Sequence, residues 1–512
     1  MRNSYRFFAM LALAPVAAFL VYPAGVLFAH GWGEGLRENL LTEERFWRIV
    51  LFTYSQAFLS TALAGCVGGV MAVAFTEWGL KGKGLLWRAG LLCYSLPSIL
   101  VASAVVMTWG SRGPLAVFGI ESGAEGWSGI LLAHTFLNFG LFLKNLSLAL
   151  RENGREEEIG ALSLGLTRWQ TFRVVTLPKV LPTFLSTALT VFLLCSSSFL
   201  IVLLLGGGPR FTSLEVAVFQ AVRVNFQLGV AAQIAAFQVT VGTLLFLLIR
   251  RPRVMSSQSV WVELYSPRVG RPIWIGLLWG LFLWVAAWPL LGLLRAGWVG
   301  GSIQAWHGVW GPWLISVDLA VRTSLFCGVV ALPLAMAAIH LGGPWGLAIE
   351  IAASLPVILS TTLISLSWML AFRDQFFAWR GNLTLIAGIQ AIGALPIVFR
   401  VISDGLGRIS PSLYRSAQSI GVSAFQQVLW LELPLLRSSI VLAMSLAMAY
   451  SFGEVATVLM VMDEKTVTLP LWLYRMMCTY RFGEAAFVGV ILMAGLVGLS
   501  SLWERLGAWR FR

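Results

Sequence analysis

The chain has 512 residues, of which 58% are hydrophobic and only 12% charged, with a mean hydropathy of +0.82; soluble proteins carry roughly 25% charged residues. That balance excludes a soluble multidomain enzyme and makes the chain an integral membrane protein, with lipid as its surrounding partner. The net charge of +13 would suggest nucleic acid in a soluble chain, but no basic groove interleaved with stacking aromatics accompanies it, so nucleic acid is excluded.

Apolar stretches of about 20 residues, each long enough to cross roughly 30 Å of hydrocarbon, recur along the whole length. We read twelve spans: 7–29, 49–75, 86–109, 128–150, 180–205, 228–249, 273–294, 315–340, 345–371, 383–402, 438–461 and 485–503. The first follows Arg2 and Arg6 and runs through Ala29, longer than a signal-peptide core of about 7–15 residues, and so reads as an uncleaved span. With both termini placed in the cytoplasm, the inside segments hold 23 of the 36 Lys and Arg residues, as the positive-inside bias requires. Tryptophans near span ends, such as Trp32, Trp127, Trp298 and Trp313, fit interfacial belts. The five cysteines have no paired spacing, which supports neither a disulfide framework nor a metal site.

The sequence repeats across its midpoint. Pro178 lies 13 residues after Gly165, and Pro434 lies 13 residues after Gly421, the two landmarks being offset by 256 residues, half the chain. Ser95-Leu96-Pro97 recurs as Ser354-Leu355-Pro356, and Ala231-Ala232 as Ala485-Ala486. The expected fold is therefore all-α, about 12 transmembrane helices in two tandem six-helix units of the same orientation. The first unit is 1–250 with a cytoplasmic loop at 151–179; the second is 273–512 with a loop at 403–435. Between them 251–272, rich in arginine and serine, fits a cytoplasmic linker. Transporters commonly contain such internal repeats, with the substrate path between them.

Each loop begins as a short amphipathic helix, from Arg155 to Leu164 and around Leu413 to Ile420. Gly165 and Gly421 are the expected C-terminal caps, because glycine takes positive φ without steric penalty. A second helical segment then runs to Pro178 or Pro434, where the next span is expected to begin. These paired loops resemble the cytoplasmic loop of ABC importer permeases, with its Glu-Ala-Ala, three residues, Gly and a later Pro. Gly160-Ala161 and Ser416-Ala417 stand for the two alanines. Ile159 and Arg415 occupy the Glu position of the pattern, and Glu158 lies one residue before it.

The resemblance implies a coupling helix that docks on a separate ATP-hydrolysing subunit, present in two copies. ATP and magnesium would be held by that partner, because this chain lacks a phosphate loop; Gly82-Lys83-Gly84 has neither the hydroxyl residue nor the preceding glycine. The chain itself is then a transport subunit of the bacterial inner membrane, with no cofactor and no catalysis. A periplasmic binding protein would deliver substrate near Gly207–Phe226 and Asp463–Gly483.

The segments 129–138, 206–221 and 468–481 are similar to fused thiamine permeases, and fused ferric-iron permeases share many of the same features. Glu454 lies within an apolar run, where a charge costs roughly 2.5–3.5 kcal/mol, so it should face the bundle interior or a wet cavity. Thiamine is a cation that a carboxylate suits; pairing or gating would serve a structural role instead. His134 and Asn138, one helical turn apart, and Ser197 are further candidates for the path, with interhelical hydrogen bonding or packing as the plainer reading. Asp318 and Arg322 should pair with each other. An ion-driven secondary transporter also fits twelve spans with internal repeats but would need a relay of intramembrane acids or histidines. A scaffold or export channel leaves the duplicated loops unexplained.

Overall fold

A computed structural model describes residues 13–33, 43–77, 93–94, 96–110, 124–152, 155–206, 210–249, 272–301, 303–379, 381–461 and 466–508, with a few isolated positions between them. Residues 1–12, with Arg2 and Arg6, and nearly all of the expected linker at 251–272 lie outside the described residues. Among those described there are helices and turns and no strand. Ten helices among the described residues are long and apolar enough to cross a membrane, from Leu13–Trp32 to Phe482–Leu499.

The third span of each half differs from the plain rod expected at 86–109 and 345–371. In the second half it is a bent pair, Gly343–Val357 and Thr361–Ala371, meeting at 95°. In the first half Leu96-Pro97 leads into the separate apolar helix Ser98–Trp109. The Ser-Leu-Pro repeat of the sequence thus marks a helix break in both copies, as the proline's missing N–H and its restriction of the preceding residue would cause.

The fifth span also ends earlier than expected in both halves. Its helix runs Leu177–Ser196 and Leu433–Gly453, followed by a short buried helix, Leu200–Leu205 or Ala456–Val461. Hydropathy sees one uninterrupted run, but polar side chains terminate it. Ser196 and Ser197 each donate a hydroxyl to the Leu193 carbonyl at 2.9 Å, and in the other half Glu454 leaves the helical region at ψ 124°. Hydroxyls that bond nearby carbonyls compete with the helical ladder and favour its ends.

Pro178 and Pro434 do not mark the start of a span, as the sequence had suggested. They lie inside one continuous apolar helix, Trp169–Ser196 or Phe425–Gly453. Each follows a π turn, Phe172–Thr176 or Val428–Glu432, and the first spans repeat the device with Ala17–Val21 before Pro23 and Leu283–Ala287 before Pro289. Proline has no N–H to donate, and its ring collides with the carbonyl four residues back. Widening the preceding turn lets the helix pass through it.

The two halves are interleaved. The first span of each packs against its own last span through a glycine: a Cβ on Gly31 would lie 2.6 Å from the Ala232 carbonyl oxygen, and one on Gly297 2.9 Å from that of Ala486. The repeated Ala-Ala pairs are therefore the small surfaces on which these spans close. Each first span then contacts the third span of the other half, Tyr22–Trp32 against Thr361–Ala371 and Trp288–Gly300 against Ser98–Trp109. Pro23 lacks the N–H that an α-helix would direct to the Phe19 carbonyl, and Trp368 Nε1 donates to that oxygen across the interface at 3.1 Å. In the opposite sense Thr108 Oγ1 donates to the Pro289 carbonyl at 3.3 Å.

Candidate functional site

The two loops have one geometry built from partly different residues. Gly165 at φ +87° and Gly421 at φ +79° end the helices Arg155–Ser163 and Pro411–Ser419. Gly165 N–H donates to Leu162 O and Leu166 N–H to Ala161 O, while Gly421 donates to Gln418 O and Val422 to Ala417 O. This pair of bonds, spanning three and five residues, is the Schellman closure. Two residues on, Thr167 and Ser423 start the next helix, each exchanging bonds with a glutamine three residues later, Gln170 or Gln426. That is a capping box. Sequence reading found the glycine of the motif but not the Thr/Ser-x-x-Gln that follows it in both copies.

Each loop helix is then tied back to the π turn at the base of the fifth span. Glu158 accepts from Thr176 Oγ1 at 2.6 Å, and Lys179 pairs with Glu157. At the equivalent positions of the second half Tyr414 faces Glu432, which is fully buried and contacts His340 Nε2 at 2.7 Å. Burial, with that carboxylate beside it, raises the Tyr414 phenol well above its usual value. The His340 ring meets Tyr414 edge-on at 5.3 Å, completing the clasp. Gly160 has no neighbour near enough to touch an added Cβ, and Ser416 accepts through its carbonyl from Ile420.

Among the large apolar side chains that each loop leaves exposed, three are matched between the copies: Leu164, Trp169 and Val174 at 83%, 69% and 63%, and Ile420, Phe425 and Trp430 at 79%, 59% and 79%. The members of each pair are 256 residues apart. Exposed apolar clusters of this kind mark interaction surfaces.

Of the residues considered for a path, His134 and Asn138 lie inside the first half. His134 Nδ1 is 3.2 Å from Ser60 Oγ, and Asn138 Nδ2 donates to the His134 carbonyl at 2.8 Å and to Cys195 Sγ at 3.6 Å. The second half has the same bridge in other residues: Thr323 donates to Gln390 at 3.3 Å, and Ser451 to Gln390 at 2.5 Å. Gln390 lies 256 positions after His134, and Ser451 the same distance after Cys195. Asp318 and Arg322 form the expected pair, with Nε at 2.9 Å and 3.0 Å from the two carboxylate oxygens.

Ser197 and Glu454 are placed differently, near the junction of the halves. Ser197 lines a narrow cleft with Tyr54, Ser196 and Gln238 of the first half and Val357 and Ile358 of the second. Glu454 Oε1 accepts from Thr361 Oγ1 at 3.1 Å and from the Thr457 N–H at 3.2 Å. A second buried acid, Glu215, was not among the sequence candidates for the path; it sits in Leu214–Arg223, a short amphipathic helix outside every expected span. Glu215 is fully buried and takes Gln238 Nε2 at 2.7 Å, with Ser360 and Thr362 beside it and its Oε2 without a hydrogen-bond partner.

Comparison with known proteins gives this arrangement its context. Residues 45–251 and 325–506 match the family of binding-protein-dependent transport system inner membrane components. The chain belongs to that family. It is 27% identical to the thiamine transport system permease protein ThiP of Haemophilus influenzae, over 91% of this chain and 90% of the relative. It is also 27% identical to the ThiP protein of Brucella abortus, over 98% and 96%. A putative 2-aminoethylphosphonate transport system permease protein of Salmonella choleraesuis is 26% identical over 43% of this chain and 83% of its own length. Less than half of this chain thus aligns with most of that relative. The chain is a multi-pass membrane permease, and its relatives are transport subunits rather than enzymes.

Proposed function

We propose that this permease carries thiamine or a phosphorylated form inward across the bacterial inner membrane, driven by ATP hydrolysis on a separate subunit present in two copies. The carrying observation is the similarity to thiamine permeases along nearly the full length of both chains. The matched loops support the coupling part of the reading. Two copies of one ATPase need two equivalent docking faces, and Leu164-Trp169-Val174 and Ile420-Phe425-Trp430 have the same spacing and exposure. The rigid Schellman turn and capping box of each loop would transmit the approach of the ATPases to the π turn and fifth span. The halves would then rock about their interface in alternating access. A periplasmic binding protein would release substrate on the opposite face, and both termini would lie in the cytoplasm with the loops.

Uptake of labelled thiamine into vesicles containing the permease, its ATPase and its binding protein tests the reading. We expect ATP-dependent, saturable uptake that ferric iron does not compete with. Saturable iron uptake without thiamine uptake would move the substrate to the ferric-iron class. Uptake that follows an ion gradient and ignores ATP would make the protein a secondary transporter.

A further inference from the structure

The break in the third span of the second half brings acids from both halves to one place. Ser360 caps the helix Thr361–Ala371, accepting from Leu363 N–H at 3.2 Å. Thr361 faces Glu454 of the second half, while its neighbours Ser360 and Thr362 face Glu215 of the first. Consecutive residues at one helix start thus stand beside carboxylates from the two halves. Among the described residues neither has an ion-pair partner. A hydroxyl, an amide and a backbone N–H serve them, and none of these carries a full positive charge.

A second observation points to a ligand. Gln238 is 93% buried, its Nε2 held by Glu215, yet its Oε1 has no hydrogen-bond partner, and the residue lines the cleft between the halves. Thr457, whose N–H serves Glu454, is fully buried and its Oγ1 is likewise without a partner. A buried acceptor left unmade is costly, by an amount comparable with the bond it forgoes. Here unmet acceptors adjoin two acids that have no cation. Tyr54, an aromatic residue of the kind that attracts organic cations, lines the same cleft. The cleft has room for about one water, so a solute enters only as the halves part.

We propose that Glu215 and Glu454, with Gln238, Thr361 and Tyr54, form one site for an organic cation at the interface between the halves, one acid supplied by each. The assignment rests on the thiamine reading for its natural ligand but not for its chemistry. A site divided between halves that move apart changes its affinity as they move, which is what release after capture requires.

Two measurements separate the site from the substrate. In the first, thermal unfolding of the purified permease is followed with millimolar thiamine, with choline, and with thiochrome, the uncharged oxidation product of thiamine. The two cations should raise the transition and thiochrome should not. In Glu215→Gln/Glu454→Gln, which keeps size and most hydrogen bonds, the rise should vanish. If neither cation raises the wild-type transition, or the double variant keeps the rise, there is no such site and the acids share a proton or serve packing. In the second, labelled thiamine uptake should fall about 30-fold in either single Gln variant, the order expected when one partner of a buried charge pair is neutralised. Glu454→Asp should recover part of the loss. Thiamine uptake that ignores both substitutions overturns the site and leaves the substrate reading standing. A permease stabilised by choline through the two acids, yet taking up no thiamine, overturns the substrate reading and keeps the site.

Discussion

In the first half the acid that holds the loop helix sits on that helix, as Glu158, and the hydroxyl that meets it is Thr176 on the π turn. In the second half the same two positions carry Tyr414 and Glu432, so the acid has moved to the π turn and the hydroxyl to the loop. The two positions stay face to face while the acid and the hydroxyl change places. The second version is also buried more deeply and reinforced, with Glu432 fully enclosed and held by His340. Fixed geometry with exchanged chemistry indicates that the position of the loop relative to the fifth span is what both copies retain. Neither half carries an acid at position 159 or 415, where Ile159 and Arg415 stand.

The largest effect should come from breaking what the two loops share. Gly165→Val and Gly421→Val force β-branched residues into left-handed backbone, at a cost of roughly 1–2 kcal/mol per residue. No neighbouring atom lies within 4 Å of an added Cβ at either site, so the damage is confined to the turn. The double variant should insert normally and lose thiamine-stimulated ATP hydrolysis, and the two single variants should be impaired alike. Normal hydrolysis in the double variant would remove the loops from the coupling path.

A smaller and equally symmetric effect is expected from the exposed aromatics. Trp169→Ala and Phe425→Ala should each weaken ATPase attachment by about 2 kcal/mol, the scale of a truncated interface anchor, as read by co-purification at graded detergent. Loss from one substitution only would mean that the two loops meet different surfaces.

Much of this architecture was legible because membrane spans and tandem repeats leave strong marks: apolar length set the helices, and the 256-residue offset aligned the loops. What escaped were places where a polar side chain overrides hydropathy. Ser196 and Ser197 end a helix inside an apolar run, and Glu454 does so in the other half. Pro178 and Pro434 looked like boundaries because a sequence does not reveal that a π turn can carry a helix past a proline. Glu215 stood only within the similar segment 206–221 and not as a path candidate, because its helix, Leu214–Arg223, is too short to resemble a span, although it is buried among them. One available signal was Ser213 and Thr468, hydroxyl residues that cap the matching helices Leu214–Arg223 and Leu469–Cys478.

The unequal burial of the two clasps sets the third prediction. Glu432→Gln removes a charge from an enclosed pair and should loosen 411–420 by about 1–3 kcal/mol, whereas Glu158→Gln, at a half-buried contact, should loosen 155–164 by less than about 1 kcal/mol. Amide hydrogen exchange of the two loop helices, each compared with the parent protein, measures the difference. Equal acceleration in both would mean that His340 adds nothing to the second clasp.

The smallest effect is expected at His134, and the comparison between halves is the reason. A histidine inside a transporter invites a role in proton or solute passage, but Gln390 stands at the same place in the second half and makes the same bridge to a hydroxyl of the second span. An amide evidently suffices there. His134→Gln should therefore leave uptake within about twofold and stability within about 1 kcal/mol, the amide replacing the ring at Ser60. His134→Leu strands the buried Ser60 hydroxyl and should cost about 1–3 kcal/mol of stability, seen in thermal unfolding without a change in apparent affinity for thiamine. If instead His134→Gln abolishes uptake while unfolding at the parent temperature, the imidazole does something in the first half that Gln390 does not do in the second, and the solute's route must pass beside it.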